Sequence, residues 1–200
     1  GSGGFDRDGR EYVCVLDDGA TTPQPWINVI ANAGFGFQVS AEGSGYTWAD
    51  NSRENQLTPW SNDPVSDLPG EVIYVQDADS GALTTVTAHP RRADTRLDDP
   101  EHQTRHIARH GFGYTRFEHD TPELSMTLLQ YVPLNDPIKI SRLTLENRTA
   151  QPRRLIVTAY TAWVMGTSRA RTAPFLVSQH DAATGALLMR NPWNQAFPGR

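Results

Sequence analysis

Short apolar runs broken by turn residues recur along this chain, and their period is two rather than 3.6. In 123–132, Leu124, Met126 and Leu128 fall on one side of an extended chain while Ser125 and Thr127 fall on the other, the alternation of a strand with one wet face. Residues 12–16, 27–31 and 34–40 are shorter runs bounded by Asp-Asp-Gly, Asn-Ala-Gly and Glu-Gly-Ser-Gly, which predicts strands closed by tight turns. "GEVIYVQDADSGALTTVTA", 70–88, holds two β-rich runs around Asp-Ala-Asp-Ser-Gly, a hairpin whose loop needs residues tolerant of positive φ; "QHDAATGALLMRN", 179–191, repeats the arrangement. In 154–164 both faces are apolar: Leu155, Val157, Ala159 and Trp163 share one, Ile156, Tyr160 and Val164 the other. That pattern predicts a central strand covered on both sides.

The turn at 149–152 predicts that the strands before and after it pair as neighbours. A helical period with a cap and a stop occurs nowhere, although 100–108 has the makings of one turn. Residues 91–102, "RRADTRLDDPEH", are charged and short of apolar side chains, hence a solvated loop. The fold class expected is all-β, a large antiparallel β-sandwich.

Composition narrows the function classes. The chain has 200 residues, 38% hydrophobic and 20% charged, enough for one folded domain. The net charge is -5 and Lys139 is the sole lysine, so no basic stripe exists to displace counterions from a nucleic acid. No apolar run approaches a membrane span and no signal pattern opens the chain, so membrane insertion by this segment is not expected. The single cysteine, Cys14, cannot form an internal disulfide and reads as a small buried apolar residue. The expected location is cytoplasmic. Residues 1–4, "GSGG", read as an engineered scar or a flexible start, leaving 5–200 as the domain.

Most catalytic constellations are missing. There is no G-x-S-x-G elbow, phosphate-binding glycine loop or H-E-x-x-H. His106 and His110 would share a strand face about 13 Å apart, too far to grip one metal ion; with His119 they read as polar positions on a solvent face. Glu42, Asp50, Glu54, Asp63 and Asp67 could supply a glycosidase-like carboxylate pair, but nothing singles out two of them. Asn147-Arg-Thr149 is a formal glycosylation sequon without a secretion signal to make it meaningful. No metal or cofactor is expected.

One stretch differs from the rest: "GYTWADNSRENQLTPWSNDP", 45–64, combines aromatic rings with Asn, Asp, Arg, Glu and Gln and almost no aliphatic residue. Planar polar side chains suit vicinal hydroxyls, while Trp and Tyr faces cover the C–H face of a sugar ring. Pro59, Pro64 and Pro69 exclude a regular ladder, so the stretch reads as an ordered loop displaying binding groups. The competing reading has Trp48 and Trp60 plugging the sandwich while the Asn and Asp residues cap turns.

This stretch with its continuation to "GEVIYVQD", together with "HGFGYTRFEH", "VPLNDPIKISRLTLEN" and "RRLIVTAYTAWVMG", resembles the N-terminal domain of glycoside hydrolase family 94. The family comprises inverting β-glucoside phosphorylases and the related module of cyclic β-1,2-glucan synthases. The similarity is greatest to that module and to β-1,2-oligoglucan phosphorylases. It implies a β supersandwich, incomplete here at its C-terminal side, that precedes linker helices and an (α/α)6 barrel. The general acid and most of the phosphate pocket belong to that barrel, so no catalytic residue is carried over, and inorganic phosphate would bind mainly there.

The resemblance carries over a loop that faces the barrel and helps enclose its substrate cleft, sometimes in a neighbouring subunit. The expected substrate-binding residues are Trp48, Asn51, Arg53, Glu54, Asn55 and Trp60. The partners implied are a β-glucan or oligosaccharide, the barrel of the parent chain and a homodimer mate; a glucan-synthase parent would place the domain on the cytoplasmic side of the inner membrane. Two functions follow: an accessory sugar-facing domain inactive alone, or a purely structural and dimerising sandwich. A free-standing hydrolase would need an acid/base pair that the sequence does not single out. Exposure of the loop separates the first two.

Overall fold

The computed structural model of the chain describes residues 3–6, 8–60, 69–88 and 105–197. Among them are fourteen strands, one four-residue α-helix, α1 (Arg169–Thr172), and a 3-10 turn at Ala173–Phe175. The all-β expectation holds. One antiparallel sheet runs β1 (Gly3–Phe5), β2 (Glu11–Asp17), β8 (Arg105–Gly111), β9 (Tyr114–Asp120), β10 (Leu124–Tyr131), β11 (Ile140–Asn147). Two three-stranded sheets run β3 (Ile27–Ala31), β4 (Phe35–Ser40), β5 (Gly45–Ala49) and β12 (Leu155–Thr161), β6 (Glu71–Asp77), β7 (Leu83–Thr85). The last hairpin, β13 (Val177–His180) with β14 (Leu187–Arg190), stands by itself.

Alternation puts one face of the large sheet inside. Cys14, Ala108, Phe117, Leu124, Met126 and Leu128 pack with Ile30, Phe37, Val39, Val75 and Val86 in one cluster, each large member stabilising the fold by about 1.5–3 kcal/mol. Cys14 is fully buried, as expected, and burial, aided by Glu42, pushes its thiol up to about 11. Gly3 and Gly4 of the opening segment join the sheet opposite Cys14 and Val13.

Several expectations change. The strand covered on both faces is β4, buried at all six positions, rather than 154–164. There, β12 is the edge of its sheet, with Ile156, Val157 and Tyr160 about half exposed. The strands flanking 149–152 are not neighbours, because β11 pairs with β10 whereas β12 pairs with β6. Two anchors explain the hand-over from one sheet to the other: the Arg148 amide donates to the Glu123 carbonyl, and Arg153 reaches both Asp77 at 2.9 Å and Glu123 at 2.6 Å.

Residues 105–108 are strand, not helix, and 91–102 lies outside the described residues. His106 and His119 do not face solvent; they are buried, stacked with centroids 3.9 Å apart. Each Nδ1 meets a backbone carbonyl, Val86 and Arg105 respectively, which gives each buried ring a hydrogen-bond partner in the core. His110 lies on the same inner face, half-buried, its Nδ1 3.2 Å from Thr115 Oγ1.

Candidate functional site

The aromatic and polar stretch divides into a strand and a turn. Residues 45–49 form β5 rather than loop, pairing Tyr46 with Gln38 and Trp48 with Gly36 of β4. A Cβ on Gly36 would stand 2.5 Å from the Trp48 ring and 2.6 Å from Ala31 Cβ, so glycine there lets the indole lie over the strand. Tyr46 lies between two indoles, with Trp60 stacked on it at 5.3 Å and Trp48 tilted against it at 5.2 Å. Tyr46 is buried, Trp48 half-buried and Trp60 43% exposed. The two tryptophans flank one tyrosine and leave part of their rings open.

Asp50, at φ 60°, turns the chain out of β5. Asn51 Oδ1 then accepts the amides of Arg53 and Glu54, both at 2.9 Å, an Asx turn. Asn55 is buried, and its side-chain amide donates to the Ala49 carbonyl. Asn51 and Asn55 therefore shape the turn. Arg53 and Glu54 stand at its tip, 3.5 Å apart with side chains 90% and 48% exposed, where such a pair adds little stability.

The root of the turn is fastened to the sandwich. Thr58 Oγ1 accepts the Thr47 amide, and both threonine hydroxyls donate to Glu71 Oε1 at 2.6–2.7 Å. Lys139 binds the other carboxylate oxygen and sits 4.3 Å over the Phe37 ring. Burial favours the neutral acid at Glu71, but the ammonium and the hydroxyls outweigh it and lower its pKa. Beyond the root, Gln56 exchanges both backbone hydrogen bonds with Gly166, and Val164 donates to Leu57.

That bridge forms one wall of a cleft of about 370 Å³ running from Glu54 to Arg171, Phe175 and Trp193. Met165, at φ 53°, aims its carbonyl at the side-chain amides of Asn191 and Asn194. The Phe175 and Trp193 rings meet at 5.3 Å and are 41% and 72% exposed. The sequence reading missed this group. "NPWNQAF", 191–197, carries the same blend of ring, amide and proline as 45–64 and was open to the same argument.

Acid/base and metal chemistry find no frame here. Glu42 is buried, with Oε1 accepting the Thr22 amide and hydroxyl, and Asp63 and Asp67 lie outside the described residues. Among the described residues no three His, Cys, Asp or Glu side chains gather around a common point, and no helix is long and apolar enough to cross a membrane. What the surface offers is ring faces, a guanidinium, a carboxylate and amides.

Comparison with known proteins gives this surface a setting. Residues 10–200 match the family described as "Glycosyl hydrolase 94, supersandwich domain". The chain belongs to that family. Along its whole length this supersandwich domain is 46% identical to the cyclic β-(1,2)-glucan synthase NdvB of Rhizobium meliloti (strain 1021), of which it spans 7%. Over 79% of the chain it is 29% identical to an N,N'-diacetylchitobiose phosphorylase of Vibrio furnissii, of which it spans 19%. Over 80% it is 26% identical to a solabiose phosphorylase of Paenibacillus borealis, of which it spans 20%. The chain thus spans a minor fraction of each of these relatives' length.

Proposed function

We propose that this supersandwich domain is the accessory, carbohydrate-facing part of an inverting β-glucan phosphorylase or a cyclic β-1,2-glucan synthase, inactive by itself. The observation that carries the reading is the open aromatic surface of Trp48 and Trp60 beside the solvent-facing Arg53 and Glu54, on a turn whose root is pinned by Glu71. Rings partly free of the core can cover a pyranose C–H face, and a guanidinium and a carboxylate can each engage two hydroxyls. A pinned root keeps these groups in place before the ligand arrives, which lowers the entropy lost on binding. Asn51 and Asn55 act one step back, holding the turn. The printed names of the relatives, a β-(1,2)-glucan synthase and phosphorylases of N,N'-diacetylchitobiose and solabiose, agree with a sugar ligand.

In this reading the general acid and the inorganic phosphate reside in an (α/α)6 barrel of the parent chain, in the cytoplasm or on the cytoplasmic side of the inner membrane, and the loop helps close the cleft of its own or a paired subunit. The second reading, a sandwich that only positions the barrel and dimerises, draws support from the buried Asn55 and from the Tyr46–Trp60 stack.

Arg53→Ala and Trp60→Ala in the full-length enzyme separate the two. A sugar-facing role predicts a drop in kcat/KM of about five-fold to a hundred-fold with the domain still folded. The structural role predicts a lowered Tm for Trp60→Ala with kcat/KM falling only as far as the unfolded fraction, and that result would refute the assignment.

A further inference from the structure

We propose that the cleft between the 50–55 turn and the 191–197 segment is a separate subsite for one pyranose ring of a neutral glucan strand, with Trp193 and Phe175 as its platform. The proposal rests on the carbohydrate reading given above and extends it, through the shared Glu54, to two rings that reading does not use. Trp193 is the most exposed large ring in the cleft, at 72%. Its backbone amide donates to Asn191 Oδ1, which is itself buried and tied to Met165. The indole is therefore carried on a rigid turn yet left open to water. Phe175 supports one side at 5.3 Å and 43°, an open angle rather than a closed stack.

The polar groups around this platform are those a sugar needs. Arg171 has an exposed guanidinium on α1, Glu54 a half-exposed carboxylate on the opposite wall, and Thr167 an exposed hydroxyl. Donors and an acceptor thus surround the rings without a surplus of either charge, which favours a neutral polyhydroxylated ligand over a phosphate or an acidic chain. The volume of about 370 Å³ exceeds that of a single hexose ring and leaves room for its water. Gly166 keeps the wall close: a Cβ there would lie 2.8 Å from Thr172 Cγ2.

The cleft also continues the first surface. Trp48 bridges to Gln56 and Gln56 to Gly166, so two strand spacings, about 10 Å, separate Trp48 from the cleft wall. That distance is about two sugar residues along a glucan, so one strand could touch both places.

The test titrates this 200-residue chain with linear β-1,2-linked gluco-oligosaccharides, read by intrinsic tryptophan fluorescence and calorimetry, with a maltooligosaccharide as control. Trp193→Ala should weaken binding about five- to tenfold with an unchanged Tm, Trp193→Phe should restore most of it, and Arg171→Ala should weaken it independently. If Trp60→Ala weakens binding but Trp193→Ala and Arg171→Ala do not, the subsite is refuted and the loop reading stands. The reverse pattern upholds the subsite and confines any role of the loop to the cleft of the full-length enzyme. Equal affinity for the control and the β-1,2 probe, unaffected by any of these variants, overturns the subsite, as does no binding by a folded wild-type chain, while the loop reading stands or falls on the kinetics of the full-length enzyme. Should Trp193→Ala lower the Tm, Arg171→Ala and Trp193→Phe decide between these outcomes.

Discussion

Gly36 is where the open aromatic surface and the core meet in one residue. Its missing Cβ leaves room for the Trp48 indole, so Gly36→Ala should displace that ring and lower stability by about 1–3 kcal/mol. A melting curve and a near-ultraviolet circular dichroism spectrum check it; if neither moves, the indole is not held as described. Glu71 makes a different demand. Its carboxylate unites Thr47, Thr58 and Lys139, and Glu71→Gln would leave the ammonium of Lys139, 13% exposed, without its counter-charge. A loss of about 3–5 kcal/mol is expected. Because the folded pKa of Glu71 lies below its unfolded value, its contribution is present above the unfolded value and disappears as pH falls through the folded one. The Tm of the wild type should therefore fall more steeply below about pH 4 than that of Glu71→Gln, and parallel acid profiles would exclude this role.

Among the elements, β12 and β4 show how far patterning reaches. β12 presents apolar residues on two faces and is an open edge, whereas β4, with Phe35, Phe37 and Val39 on one face and Gly36, Gln38 and Ser40 on the other, is buried throughout. Apolar character on both faces says that a strand can be covered, not that it is. Val157→Lys in this chain should therefore change stability by no more than about 0.5 kcal/mol, while Met126→Lys, at a fully buried site, should prevent folding. Solubility and thermal melts of the two variants decide it, and unfolding by Val157→Lys would restore the covered-strand expectation. The alternation in β10 was legible because each of its residues obeys the local pleat, with Leu124, Met126 and Leu128 inward. The pairing of β11 and β12 was not, because a turn fixes where the chain reverses but not which sheet receives it, and Arg153 with its two carboxylates makes that choice.

For the molecule as a whole, the far-ultraviolet circular dichroism of this chain should be that of a β protein with almost no helical signal, given fourteen strands and one four-residue helix among the described residues; a helical spectrum would overturn the fold. Supplied with inorganic phosphate and a β-1,2-linked glucan, the chain alone should release no glucose 1-phosphate, since inverting transfer needs a positioned acid and a nucleophile on opposite faces of the sugar. Phosphorolysis abolished by changing a carboxylate of this chain would defeat the accessory reading.

The sequence by itself determined the all-β class, most of the strands, the alternation within them and the family, because these depend on the two-residue pleat and on short motifs that are local in the chain. It also marked 45–64 as chemically unusual, although it did not separate the strand 45–49 from the turn that follows. Only the tertiary structure decided which face was inside. His106 and His110 share a face as their spacing required, and the pairing of β8 with β9 adds His119 opposite His106, but it is the core face, where the backbone carbonyls of Val86 and Arg105 accept His106 and His119. Tertiary structure likewise sorted the six candidate residues, setting Asn51 and Asn55 to hold the turn while Arg53 and Trp60 remain open. It alone joined Glu54 to Arg171 and Trp193 in one cleft. Burial and proximity between distant segments depend on how sheets stack, and that is a property of the whole chain that no local period encodes.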